Sequence, residues 1–342
     1  MRGQLPAEGD KGGRGLKPKP MTTPKHIPGH IPGADKIAFK EAFEARYRAL
    51  LGERYNSFVD FSLSFIRKSI RVNTLKIGVR ELKHRLESKG WRLDAVPWCR
   101  EGFWIEGERT DIGNLEEHSL GYFYVQEAAS MIPPVVLKPE PGQVVLDMCA
   151  APGSKATQIA AMMKNQGVVI ANDYQGERLK PLGINLQRMG VSNCITTLMH
   201  GFSIKGQQIF DRVLVDAPCS GTGNIRRSLG TLKMWNPTMV RRLAGMQRLL
   251  ACRGFESLKP GGLMVYSTCS VEPEEDEGVV DFLLSKYSNA CLRRIRLRIR
   301  SSPAVTEFEG NAYNPDVDKC LRLWPQDNNT EGFFVVGIEK AS

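Results

Sequence analysis

Cys219 and Cys269 each close a short apolar run, the first in VLVDAPCSGTG (213–223) and the second in LMVYSTCSVEP (263–273). Aliphatic and aromatic residues ahead of each cysteine, with Pro, Ser and Gly behind, read as strands that stop in polar loops. A thiolate held there can add to an electron-poor carbon of a heteroaromatic ring. In a pyrimidine, addition at carbon 6 creates an enamine and pushes electrons onto carbon 5, which is otherwise a poor nucleophile toward a methyl sulfonium. One cysteine would form the adduct, and a second group would assist its release once the carbon 5 proton has left. The residues by themselves leave open which cysteine does which. An ordinary thiol, with a pKa of about 8.5, is only slightly ionised at neutral pH, so its surroundings, helix N-termini and Lys155 among them, must favour the anion.

Asp216, three residues before Cys219, can accept from the exocyclic amine of a cytosine or share a proton with the adjacent ring nitrogen. Pro218 fixes the turn so that both side chains face one pocket. The run DAPC is similar to the D-P-P-Y type motif of amine methyltransferases, with cysteine in place of the aromatic, which argues for attack at carbon rather than nitrogen. The other cysteines read differently. Cys99, Cys194, Cys252, Cys291 and Cys320 are expected to be small buried hydrophobes, and Cys149 to pack within a turn.

That turn, LDMCAAPGSKATQIA (146–160), follows another predicted strand and leads into a helix N-terminus, with Pro152 and Gly153 allowing a tight bend. Asp173 closes the next strand, VVIAND, where a carboxylate accepts hydrogen bonds from ribose hydroxyls. The turn has neither the GxGxxG spacing that cradles a pyrophosphate nor the GKT or GKS of a P-loop, which disfavours NAD, FAD and ATP. S-adenosylmethionine carries no phosphate and suits such a loop.

These strand ends need a scaffold. From Val144 onward the signals alternate: strands VVLDM, VVIAND, NCITTLM, FDRVLVDAP and GLMVYSTCS are separated by helices SKATQIAAMM, ERLKPLGINLQRMG and a long one around 241–258. Strands alternating with helices imply an α/β fold, a parallel sheet covered on both faces, with ligands at the carboxyl ends of its strands. Ahead of it, prolines 133, 134, 139 and 141 mark a boundary, giving a region 37–135 and a catalytic domain 136–342. Region 37–135 opens with amphipathic helices and continues as SIRVNTLKI (strand), VRELKHRLESKG (helix ended by Gly90), WRLDAVPW and GFWIEG (strands), a small platform able to face RNA. Arg71, Asn73 and Lys76 are expected on its strand surface, as phosphate contacts or as the solvated face of an edge. Residues 1–36, rich in Pro, Gly and Lys, read as a disordered basic tail.

Two further motifs stand out. LRRIRLRIR (292–300) alternates and predicts a strand with Arg294, Arg296, Arg298 and Arg300 on one face, either a charged edge that discourages aggregation or a phosphate-binding stripe. The run PEEDE (273–277) reads as the acidic first turn of a helix after the Cys269 loop, with the capacity to orient that loop.

Composition bounds the rest. The 342 residues are 42% hydrophobic, enough for a full core, and the net charge of +10 favours a polyanionic partner. No segment reads as a membrane helix or secretory signal, so the expected location is the cytoplasm. The eight cysteines form no CxxC pair and the five histidines show no ligand spacing, so reduced thiols and no metal site are expected. A monomer is the default expectation.

CAAPGSK (149–155), Asp173, DAPCSGTG (216–223), YSTCSVEPEEDE (266–277), NNTEGFFVV (328–336), and in the first half IRVNTLK and FYVQEAASM, together resemble the RNA cytosine-5 methyltransferases of the Nol/Nop/Sun family over about residues 40–340. The resemblance implies a seven-stranded, mostly parallel, Rossmann-like S-adenosylmethionine-dependent methyltransferase domain behind a smaller α+β RNA-binding region. It also assigns the cysteines. DNA methylases attack with the cysteine of their Pro-Cys motif, which would point to Cys219, whereas this family implies Cys269 as nucleophile and Cys219 as the residue that assists release. By the same resemblance Lys155 and Asp216 contact the target base. Cys149, Ala150, Ala151, Pro152, Gly153, Ser154, Lys155, Asp173, Arg178 and Asp216 would hold S-adenosylmethionine. Short archaeal-like members point to tRNA ahead of ribosomal RNA. Two departures stand beside this: GSKAT replaces the more common GGKT, and His200 with Gly201 occupy the place after the third strand where an Asp often faces adenine.

Overall fold

The computed structural model describes residues 29–107 and 111–342. The first half builds a four-stranded antiparallel sheet from β1 (Ser69–Val72), β2 (Arg92–Ala95), β3 (Gly102–Glu106) and β4 (Phe123–Val125), in the order β2-β3-β1-β4. The helix Val79–Glu87 buries Leu82 and Leu86 against this sheet's Ile70, Val72, Phe103 and Phe123. The helices Glu41–Leu51 and Tyr55–Ser62 pack elsewhere, through Phe43, Tyr47 and Phe58, onto Trp235, Val271 and Trp324 of the second half. Of the stretch read as a tail, residues 29–36 are described: Ile31 N–H donates to Leu63 O at 2.8 Å and Phe65 N–H to Gly29 O at 3.0 Å. The tail's residues 1–28 lie outside the described residues.

The second half is a large sheet. Its strands are β5 (Val144–Asp147), β6 (Val168–Asp173), β7 (Cys194–Leu198), β8 (Phe210–Asp216), β9 (Leu258–Thr268) and β10 (Ala290–Arg293). After a two-residue hairpin, β11 (Glu307–Phe308) and β12 (Asn311–Ala312), come β13 (Leu321–Leu323) and β14 (Phe333–Lys340). The order is β10-β14-β9-β8-β5-β6-β7, seven strands in one path, with β13 also paired to β14. Strands β5 to β9 run parallel, while β14 is antiparallel to β9 and β10 antiparallel to β14. Val, Leu and Ile runs fill both faces, as a sheet covered on two sides requires. One face carries the helices Pro237–Ser257 and Glu277–Lys286. The other carries Ile132–Leu137 and Ser154–Met162 and shares its core with Trp98 and Trp104 of the first half, so the two halves are packed as one body.

Four local expectations are corrected. Arg71 is neither a phosphate contact nor on an edge, because β1 is an interior strand. Its buried guanidinium instead donates to Ser154 O at 2.6 Å, Gln126 at 2.8 Å and Thr157 at 2.9 Å, tying the platform to the catalytic domain. Asn73 is likewise buried, donating to Gly121 O and Met189 O, and Lys76 reaches Leu120 O and Arg188 O. Arg71 and Asn73 are covered by the rest of the chain, whereas Lys76 lies exposed in the turn after β1.

LRRIRLRIR forms a strand only as far as Arg293. The outer edge of β14 is shared, with β10 pairing residues 337–340 and β13 pairing residues 333–335, so no edge is left for residues 294–300. They run extended to a bend at 298–299, with Ile295, Leu297 and Ile299 against the core and Arg294, Arg296 and Arg298 outward.

PEEDE is not a first turn, since the helix begins at Glu277. Glu272, Glu275, Asp276 and Glu277 are fully buried, each with its own donors. Glu272 accepts from Tyr47 and Trp235, both at 2.6 Å, and from Arg46 at 2.8 Å. Asp276 accepts from Thr268 at 2.6 Å and from Arg322 at 3.1 Å. Glu277 accepts from Arg322 Nε at 2.8 Å. Cys291, expected to be buried, is exposed on β10.

Candidate active site

The carboxyl ends of β5, β6, β8 and β9 converge, and the strand order reverses between β5 and β8, the position at which open α/β sheets bind ligands. A cavity of about 400 Å³ opens there. Its lining includes Cys149, Ala150, Ala151, Pro152, Ser154, Lys155, Arg178, Asp216 and Cys269. Gly153, Asp173 and Cys219 stand behind this wall rather than on it.

β9 ends at Thr268, so Cys269 emerges at the sheet's rim, and Cys219 follows β8 by the length of one tight turn. Their sulfurs are 3.2 Å apart. That hydrogen bond first, then burial, the neighbouring Cys269 and the Glu275 carboxylate push the Cys219 thiol well above the ordinary cysteine range. The turn is fixed by Glu275, which accepts from Ser220 N–H at 3.1 Å and Ser220 Oγ at 3.0 Å. Burial raises the Glu275 carboxyl to about 7 although the serine hydrogen bonds oppose the shift. PEEDE therefore orients both cysteine loops, that of Cys219 through Glu275 and that of Cys269 through Asp276, which accepts from Thr268.

Lys155 Nζ lies 2.7 Å from Asp216 Oδ2 and 3.0 Å from Ser130 Oγ. Burial works against its charge, but Asp216 outweighs that and raises its pKa, so Lys155 is an ammonium. Asp216 pairs in register with Ser267, whose hydroxyl donates to its other oxygen at 2.8 Å. The carboxylate is thereby oriented from both sides.

In the turn, Gly153 has φ 105°, which favours glycine, and a Cβ there would sit 3.0 Å from Leu182. Asp173 accepts from Ala151 N–H at 3.3 Å and pairs with Arg178 at 3.3 Å, while Arg178 also donates to Ala151 O at 2.6 Å. Asp147, at the end of β5, is buried with neither carboxyl oxygen hydrogen-bonded. Burial, then repulsion from Asp216, raises it to about 7, with Lys155 opposing. Cys149 is pushed well above the usual thiol range by burial and by these aspartates, so it packs as a neutral thiol.

A second cavity of about 280 Å³ adjoins the first through Cys149 and is lined by Tyr174, His200, Phe202, Pro218 and Leu250 among others. His200 stacks on Tyr174 and on Phe202, with ring centroids 5.6 Å and 5.1 Å away. The slot suits a flat aromatic ring.

Several site residues were not singled out in the sequence. Tyr124, Gln126, Glu127 and Ser130 enter the cavity from FYVQEAASM, and Glu331 and Phe333 from NNTEGFFVV, while Arg227 pairs with Glu331 at 3.1 Å. Their motifs were legible, but their direction was not. Tyr174, next to Asp173, and Phe202, two residues past His200, carried the only local signal of the slot, an aromatic just beyond a strand end.

Residues 134–339 match the family model of the 16S rRNA methyltransferase RsmB/F, and residues 39–128 match that of the N-terminal domain of 16S rRNA methyltransferase RsmF. The chain belongs to the RsmB/F family of RNA cytosine-5 methyltransferases. Within this family it is 45% identical over 298 residues to a tRNA (cytosine(49)-C(5))-methyltransferase of Pyrococcus abyssi, covering 85% of this chain and 95% of that protein. It is 44% identical over 293 residues to ribosomal RNA small subunit methyltransferase F of Shewanella amazonensis, covering 84% of this chain but 61% of that protein. A methyltransferase homolog from Pyrococcus horikoshii superposes with TM-score 0.79 at 37% identity, over 91% of this chain and 99% of that one. NSun6 from the same organism shares the RsmB/F fold, with TM-score 0.77 at 24% identity over 89% of this chain and 99% of that one. No helix of the described residues is long and apolar enough to cross a membrane.

Proposed function

We propose that the chain transfers a methyl group from S-adenosylmethionine to carbon 5 of a cytosine in RNA, with tRNA ahead of ribosomal RNA, through a covalent adduct on Cys269. The observation that carries this reading is the pair of sulfurs 3.2 Å apart, with Cys269 lining the same cavity as the Lys155–Asp216 pair.

The site fits the cofactor. The cavity wall offers Cys149, Ala150, Ala151, Pro152 and Ser154, Asp173 supports it from behind through Ala151 N–H and Arg178, and the adjoining cavity offers the Tyr174, His200 and Phe202 rings to a flat base. With Arg178 and the 149–155 turn these residues would hold S-adenosylmethionine, whose sulfonium supplies an electrophilic methyl group. Lys155, Ser130 and Asp216 would orient the base, with Asp216 accepting from its exocyclic amine. The Cys269 thiolate forms a bond to carbon 6, and the carbon 5–carbon 6 π electrons shift to make carbon 5 nucleophilic. After carbon 5 gains its methyl group, water takes its proton, the freed C–H pair re-forms the carbon 5–carbon 6 double bond, and the sulfur–carbon 6 bond breaks, returning its pair to sulfur. Cys219, 3.2 Å from Cys269, stands beside that bond and its thiol stabilises the departing thiolate by a hydrogen bond.

Region 37–135 is assigned to RNA binding. Support for tRNA comes from the tRNA (cytosine(49)-C(5))-methyltransferase of Pyrococcus abyssi, to which the chain is 45% identical over 298 residues; the chain spans 61% of the length of the Shewanella ribosomal enzyme.

Incubation of the wild type with labelled donor and either bulk tRNA or ribosomal RNA tests the reading. We expect alkali-stable 5-methylcytosine with tRNA, none with Cys269→Ala, and with Cys219→Ala an RNA–protein complex that survives denaturation. Normal turnover by Cys219→Ala would remove its assigned role. Product from Cys269→Ala would remove the adduct.

A further inference from the structure

The arginine ribbon 294–300 lies outside the catalytic cavity, and the tertiary structure removes its simplest explanation. Charges on an edge strand protect against edge-to-edge pairing, but residues 294–300 are in no strand, and the edge β10 ends at Arg293, which pairs with Glu339. Ile295, Leu297 and Ile299 anchor the segment to the core, Arg294, Arg296 and Arg298 between them are exposed, and Arg300 is half-buried beyond a bend at 298–299. Alternate residues of an extended chain are about 6.6 Å apart, comparable to the step between successive phosphates of a nucleic-acid strand.

At one end the ribbon borders a groove of about 420 Å³ with an apolar floor, including Val135, Val136 and Leu263, and a rim carrying Lys138, Arg212 and Arg296. Arg294 is neutralised by Asp318 at 2.6 Å. Among the described residues no carboxylate lies within ion-pair distance of Lys138, Arg296, Arg298 or Arg300, and Arg212 Nε is buried without a hydrogen-bond partner. At its other end the ribbon is tied to the segment that leads into the catalytic cavity's wall. Asn328 accepts from Arg300 N–H at 3.2 Å and donates to Arg300 O at 2.8 Å, three residues before Glu331 of the cavity wall.

We infer that this ribbon and its groove form a second RNA-contact track, on which the phosphates of the substrate strand meet the exposed, unpaired Arg296 and Arg298 and the groove's Lys138. The inference rests on the proposed RNA substrate. RNA is preferred to an acidic protein because the unpaired arginines stand at alternate positions and the ribbon is tied to the segment that leads into the wall of the cavity where a nucleotide is to be held.

The test uses full-length protein and bulk tRNA, with affinity measured across a salt series, for the wild type and for Arg296→Gln/Arg298→Gln. A charge-matched control, Lys205→Gln/Lys286→Gln, alters exposed lysines around the Pro237–Ser257 helix on the opposite face. The arginine variant should bind roughly tenfold more weakly at physiological salt, with a slope of log affinity against log salt shallower by about two. At saturating RNA its methylation rate should equal the wild type's, and the control should match the wild type throughout. An unchanged slope and affinity, or an equal effect in the control, overturns the track, as does displacement of tRNA by polyglutamate at lower concentration than by unlabelled tRNA. The two readings fail separately: methylation with an unaltered slope sinks only the track, while arginine-dependent binding without methyl transfer sinks only the methyltransferase reading.

Discussion

At the residue scale, the site separates groups that must hold a charge from groups that must not. Lys155 is kept cationic by Asp216, and Cys219 is kept neutral by Cys269 and burial. Asp147 is the strained member, a buried carboxyl without a hydrogen bond. Its folded pKa of about 7 lies above the ordinary 3.8, so folding favours its protonated form, and stability is lost as pH rises through that window. Asp147→Asn cannot ionise. In the absence of cofactor the variant should match the wild type in melting temperature near pH 4 and exceed it progressively up to pH 8. The gain should be about 2–4 °C for each kcal/mol relieved. Parallel melting curves with no pH-dependent gap would mean that Asp147 has a donor in solution.

At the element scale, the loop after β9 is held by buried carboxylates rather than by helix geometry. Glu272 is the sole acceptor shared by Arg46, Tyr47 and Trp235, which come from the first helix and from the loop before the long one. Glu272→Ala would leave a buried phenol and indole without their partner and Arg46 with Glu274 and Glu309 alone. We expect a loss of about 3–5 kcal/mol in urea unfolding. A loss below about 1 kcal/mol would show that water replaces the carboxylate. The same cluster explains the misread PEEDE run: a stretch of acids in sequence ordinarily means a solvated turn, and only distant cations and hydroxyls make burial tolerable.

At the scale of the whole molecule, the platform and the catalytic sheet are joined through polar contacts as well as a shared core. Arg71 reaches from β1 to the backbone of Ser154, the residue before Lys155. Arg71→Met should cost about 2–3 kcal/mol, as expected for lost hydrogen bonds to a charged group, and should raise the RNA concentration needed for half-maximal methylation more than it lowers the maximal rate. Loss of stability without that kinetic change would confine Arg71 to folding. The net charge of +10 then has a location as well as a sign, with the 294–300 ribbon contributing part of it.

The order of strands and helices from Val144 onward, the placement of Cys219, Cys269, Asp216 and Asp173 at strand ends and of Lys155 in the helix after the first turn, and the family itself were legible in the chain, because hydrophobic period and turn residues are local signals. Region 294–300 was not, since its alternation satisfies a strand and only the prior occupation of the β14 edge by β13 denies it a partner. Nor were the burial of Arg71 and the closeness of the two thiols, separated by 50 residues. Burial and pairing across such distances are decided by which surfaces meet when the sheet closes, and a linear pattern does not encode which face will be covered.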